Sequence, residues 1–67
     1  MSTHYEIRIA CALSETIRSA FSEMRAVELS PTSTLLTGDI RDQSELHGIL
    51  ARIADLGIDI TEIRTQP

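Results

Sequence analysis

Two histidines are the side chains of this 67-residue chain most suited to acid–base chemistry. Imidazole titrates near neutral pH, so His47 could act as a general base or contact a ligand. The commoner role is that of a histidine on a helix surface, packed against a neighbouring strand. His4 has no evident carboxylate partner in the sequence. We therefore keep His47 as a candidate functional residue and predict no catalytic residue.

Cys11 is the single cysteine, which excludes an intramolecular disulfide and a multi-cysteine metal site. Its thiol would be nucleophilic only with a lowered pKa, which the dipole of a helix beginning at Ser14 could provide. The commoner role is that of a small apolar residue buried at a strand end. A metal site would have to use His4, Asp42, Glu45 and His47. These residues would have to converge from separate elements, and none of them form the i, i+4 pair typical of metal ligands on a helix. The sequence therefore predicts neither a metal nor a cofactor.

The first elements that would position these side chains follow from hydrophobic periodicity. Apolar and polar residues alternate over residues 4–11, which predicts a half-buried strand. Apolar residues at helical spacing over 13–24 predict an amphipathic helix whose N-cap is Ser14.

A hairpin and a second helix follow in the chain. Period-two patterns over 25–30 and 34–39, separated by a turn that contains Pro31, predict two strands joined as a hairpin. The strongest helix is predicted over 42–56, where an Asp-x-x-Glu sequence resembles a capping box. Gly48 inside this helix predicts close packing against a neighbour.

The last strand is predicted over 58–64 and leaves two alternatives. Strict alternation cannot place both Ile60 and Ile63 on one face. Either a bulge shifts the phase of the strand, or Ile63 lies on the other face of the sheet. We favour the second alternative.

The order strand, helix, strand, strand, helix, strand predicts an α+β, ferredoxin-like βαββαβ sandwich. In this fold a four-stranded antiparallel sheet carries two helices on one face, with the first and third strands in the centre. The helices are expected to cover Tyr5, Ile7, Ile9, Val27, Leu29, Leu36, Ile58 and Ile60. The opposite face, the candidate binding surface, is expected to present His4, Glu6, Arg8, Glu28, Leu35, Thr61 and Ile63.

Length and composition limit the architecture and the partners. Sixty-seven residues form a single domain (1–67) whose core is small, and no disulfide or zinc can staple it. We therefore expect a homodimer. The net charge is −4, the arginines form no basic stripe and aromatic residues make up 3%, so nucleic acid and membrane surfaces are not expected as partners.

A resemblance to known proteins is carried by residues 34–63 and by the opening Tyr5-Glu6-Ile7-Arg8-Ile9, and its most specific portion is Asp42-Gln43-Ser44-Glu45-Leu46-His47-Gly48-Ile49-Leu50. In these residues the chain is similar to a group of short actinobacterial proteins. The resemblance implies a cytoplasmic bacterial protein with a compact α+β fold. It implies no activity and no catalytic residue.

Two functions from different classes remain open. The leading one is a non-enzymatic module, a homodimer that binds a partner protein or a small apolar ligand through the open sheet face or edge. The alternative is a cofactor-free enzyme of the dimeric α+β barrel kind, such as an isomerase, cyclase or oxygenase. It would need a pocket between sheet and helices lined by Tyr5, His4 or His47.

Overall fold

The computed structural model describes residues 2–66 and confirms the predicted order of elements. Their bounds are β1 Thr3–Ile9, α1 Glu15–Ala20, β2 Arg25–Ser30, β3 Ser33–Ile40, α2 Gln43–Asp55 and β4 Ile60–Gln66. The strands form one sheet in the order β2-β3-β1-β4, and every neighbouring pair is antiparallel. β1 and β3 are therefore the central strands, as predicted for a ferredoxin-like α+β fold.

Side-chain caps begin both helices. The Ser14 hydroxyl accepts from the Ile17 N–H at 3.2 Å, and the Asp42 carboxylate accepts from the Glu45 N–H at 2.8 Å. These bonds satisfy backbone donors that have no partner within the helix. α1 is shorter than predicted, because the backbone leaves helical geometry at Phe21 and continues as a turn to β2.

The core lies between the helices and one face of the sheet. Ile7, Ile9 and Leu36 share that face and pack with side chains from both helices. Nine apolar side chains of the described residues are buried: Ile7, Ile9, Ile17, Phe21, Met24, Leu36, Ile40, Ile49 and Ile53. Most of the buried residues from the two predicted helices follow the amphipathic pattern of the sequence, whereas the burial of Ile40 was not predicted. No helix within residues 2–66 is long and apolar enough to cross a membrane.

A bulge in β4 places Ile63 on the face opposite to the predicted one. β4 pairs Ile63 with Ile7 and Ile60 with Ile9, so the register shifts by one residue and no residue of β1 is directly opposite Thr61. Opposed residues in a sheet share a face, so both isoleucines lie on the helix side. The predicted placement of Ile63 on the open face was wrong, and the alternative of a bulge is the one observed.

A second bulge, in β2, reverses the faces that were predicted for Val27 and Glu28. With the two-residue turn after Ser30, regular pairing would have set Glu28 opposite Leu35. The register instead shifts at Leu29, so Val27 is opposite Leu35 and Glu28 is opposite the buried Thr34. Val27 therefore lies on the open face and Glu28 on the helix side, the reverse of the prediction. The expected burial of Leu29 and Ile60 was also wrong, since both are exposed.

Candidate functional site

The side of the sheet without helices, here called the open face, is the candidate functional site. The register assigns its side chains, because opposed residues share a face and alternate residues return to it. It carries His4, Glu6, Arg8, Arg25, Val27, Leu35, Thr37, Asp39, Glu62, Arg64 and Gln66. Four of these were predicted: His4, Glu6, Arg8 and Leu35. Of the other three predicted positions, Thr61 lies at the bulge, whereas Glu28 and Ile63 lie on the helix side.

His4 contacts a carboxylate on β3, although the sequence near His4 showed no evident carboxylate partner. Its Nδ1 lies 3.0 Å from the Asp39 carboxylate and its Nε2 lies 2.8 Å from the Thr37 hydroxyl. A carboxylate only accepts, so Nδ1 carries the proton; in the neutral ring, Nε2 then accepts from Thr37. Both ring nitrogens have hydrogen-bond partners on β3, so His4 links the central strands β1 and β3.

A ladder of alternating charges runs across the other half of the open face. The Glu62 carboxylate accepts from Arg64 Nε at 2.9 Å and lies 3.8 Å from the Arg8 guanidinium. Glu6 is opposite Arg64 in the register. With Leu35, these four charged residues line a shallow depression of about 60 Å³. Small-molecule sites usually measure about 300–1,000 Å³, so this depression does not enclose a ligand of that size.

An apolar pair lies beside this ladder. Val27 on β2 is directly opposite Leu35 on β3. Val27 is 36% exposed, and Leu35 is half-buried. The pair lies toward the β2 edge of the sheet, with charged and polar side chains beside it, and apolar surface bordered by polar side chains is a feature of protein–protein contact sites.

The open face is electrically neutral, although the protein is acidic. Its acidic residues are Glu6, Asp39 and Glu62, and its arginines are Arg8, Arg25 and Arg64. With His4 neutral, these charges cancel, so the formal net charge of −4 belongs to the rest of the chain. Another molecule can approach the open face without strong repulsion.

The remaining chemical candidates lie apart from this surface. His47 is exposed on α2, without a hydrogen bond to its ring in the described part of the chain. Cys11 is half-buried against the core. His4 faces away from the helices whereas its neighbour Tyr5 packs against the core, so the two cannot line one pocket. Within residues 2–66, no cluster of histidine, cysteine and acidic residues could hold a metal ion.

Tertiary pairing explains which site residues were missed. Thr37 and Asp39 reach His4 from more than 30 positions away in sequence. Val27 changes face because of the bulge at Leu29. A period-two reading of β4 that allowed a bulge would have found Glu62 and Arg64, because it places Ile60 and Ile63 on the helix side.

Comparison with known proteins gives a family but no activity. A family model described as Domain of unknown function (DUF8691) matches residues 4–64. No curated protein and no solved structure matches the chain. The matched range runs from β1 into β4, so it includes both helices, β2 and β3 completely and most of β1 and β4.

Proposed function

We propose that this chain, which belongs to the family described as Domain of unknown function (DUF8691), is a small non-enzymatic module that binds another protein through its open face and acts as a homodimer. One observation carries the proposal: an apolar pair, the exposed Val27 and the half-buried Leu35, lies within a surface whose charges cancel. The proposal also includes a cytoplasmic location and the relationship to short actinobacterial proteins, both of which follow from the resemblance.

The shape of the open face favours a protein over a small ligand. The depression beside Leu35 holds about 60 Å³, whereas a small-molecule site encloses several times that volume. A broad, shallow surface with an apolar patch among polar side chains is better matched by a second folded surface. Several of its charged side chains are already paired within the chain, so a partner needs no strong opposite charge.

The homodimer is supported by the size of the core. Nine buried apolar side chains stabilise the described residues, and a chain of this length rarely reaches high stability from one core. A second copy would bury further apolar surface. Light scattering is expected to give a mass near twice 7.4 kDa at high concentration. A mass of 7.4 kDa at every concentration would contradict the dimer.

Site-specific photo-crosslinking tests the binding surface. Benzoylphenylalanine is introduced at Val27 on the open face or, as a matched control, at Ala51, which is exposed on α2. We expect a discrete adduct from position 27 in cells that contain the native partner. An excess of unlabelled wild-type protein should suppress it, whereas an excess of the Val27→Glu variant should not. Equal adduct yields from both positions would contradict the proposal.

A further inference from the structure

The outer edge of β4 is an unpaired strand edge. β4 is the last strand of the sheet and pairs only with β1 among the described residues. An exposed edge presents unpaired N–H and C=O groups and is a template for another strand. Ile63, in the middle of β4, is 44% exposed although it lies on the helix side.

Backbone direction decides which residues of β4 bond outward. The Thr61 hydroxyl donates to the Arg8 carbonyl at 3.3 Å, so that carbonyl points toward β4. Successive residues of an antiparallel strand direct their backbone groups to opposite sides. Arg8 is opposite Glu62, so Glu62 and Arg64 bond inward to β1. Ile63, between them, therefore directs its N–H and C=O to the free edge.

We propose that β4 pairs antiparallel with β4 of a second copy, about a two-fold axis at Ile63. Residues 61–65 read Thr-Glu-Ile-Arg-Thr, which is charge-complementary to itself about its centre. In this register Ile63 exchanges two backbone hydrogen bonds with Ile63 of the second copy. Glu62 is opposite Arg64 of the second copy, and the symmetry repeats this pair.

The charges of each chain continue this pattern across the interface. Glu62 and Arg64 occupy non-hydrogen-bonded positions of the new pair, where opposed Cα atoms are about 4.5 Å apart and side chains are closest. A row of the joined sheet then runs Arg8, Glu62, Arg64 of the second copy, Glu6 of the second copy. The signs alternate along the whole row.

This pairing deepens the proposed function, on which it rests. A two-fold axis perpendicular to the sheet keeps both open faces on one side, so the dimer presents one eight-stranded surface to the partner. A contact along a single strand edge is small, and interfaces below about 1,200 Å² in total are weak. The dimer should therefore dissociate on dilution.

Charge-swap variants test the register. Glu62→Arg alone sets like charges opposite each other in its homodimer, and Arg64→Glu does the same with the opposite sign. Each substitution affects two symmetry-related pairs, so each should raise the dissociation constant of the homodimer about tenfold or more. An equimolar mixture should form a heterodimer as tight as the wild type, because both opposed pairs across the interface are complementary again, while the pairs within each chain are the same as in the two homodimers. The measurement is sedimentation equilibrium, with circular dichroism to show that each variant is folded.

Two controls separate this inference from the proposed function. Glu28→Arg makes the same charge change on β2 and should leave the dissociation constant unchanged. The Ile63 amide should become protected from hydrogen exchange as the protein concentration rises. A dimer with an unprotected Ile63 amide, or a mixture that does not re-associate, would overturn the edge pairing and leave binding at Val27 intact. A protein that stays monomeric at millimolar concentration would overturn it too.

Discussion

At the scale of single residues, Thr34 shows how a polar side chain can be buried without cost. It is the one fully buried polar residue in the described part of the chain. Its hydroxyl donates to the Cys11 carbonyl at 2.8 Å and so fastens the segment that follows β1 to β3. Thr34→Val keeps the shape but leaves that carbonyl without its partner. We expect urea denaturation to show a loss of about 1–3 kcal/mol in the free energy of unfolding. Thr16→Val, at an exposed position of α1, should change it little.

The pair of Glu23 and Arg52 predicts a pH dependence. Arg52 donates two hydrogen bonds to Glu23, at 2.8 and 3.0 Å, and these hold the pKa of Glu23 below its ordinary 4.5, although burial acts to raise it. The unfolded chain therefore takes up this proton first as the pH falls. The stabilisation is present above pH 4.5 and disappears as the pH falls through the lowered pKa of the folded state.

Solvent limits the size of that effect. The side chains of Glu23 and Arg52 are 42% and 38% exposed. We therefore expect Glu23→Gln to lower the free energy of unfolding by less than about 1 kcal/mol at pH 7, and to have no effect at a pH well below 4.5. Denaturation curves at the two pH values measure this difference. The matched control is Glu28→Gln, and an equal pH dependence in both variants would contradict the assignment.

At the scale of elements, the glycine in the middle of α2 and the glycine just after its end have opposite roles. A Cβ built on Gly48 meets nothing within 4 Å outside the helix backbone, so the close packing predicted from the sequence was wrong there. Gly57 has a φ of +71°, the left-handed conformation that ends many helices. Gly48→Ala should therefore stabilise the protein by about 1 kcal/mol, because alanine favours the helix. Gly57→Ala should destabilise it by about 1 kcal/mol. Thermal denaturation that shifted both variants in the same direction would contradict this difference.

At the scale of the whole molecule, few side chains maintain the fold. Ile53 is completely buried among residues of both helices and the sheet, whereas Leu56, a few positions later, is exposed. Ile53→Ala should cost about 2–5 kcal/mol, which is a large fraction of the stability of a small domain. Leu56→Ala should cost much less. Chemical denaturation of the two variants, at one protein concentration so that any dimer contributes equally, measures the difference.

Much of the fold was predictable because its signals are local. Caps at Ser14 and Asp42, the turn at Pro31 and the helical stripes each involve residues a few positions apart, and the structure confirms them. The order of elements then limits the topology to a small number of arrangements. The open-face residues of β1, namely His4, Glu6 and Arg8, followed from the same patterns, because β1 alternates without interruption between His4 and Ile9.

Sequence alone therefore determined the number, type and order of the elements, and the central strand of the candidate site. Tertiary structure decided which way the edge strands face. A bulge adds one residue to one strand relative to its neighbour, and everything beyond it changes face. The spacing of Ile60 and Ile63 allowed a bulge in β4 without deciding it, and nothing in the local composition at Leu29 indicates one, because a bulge depends on how the strand fits its partner. For that reason the sequence did not show that Val27 lies on the open face and Ile63 on the helix side, and the strand pairing of the structure did.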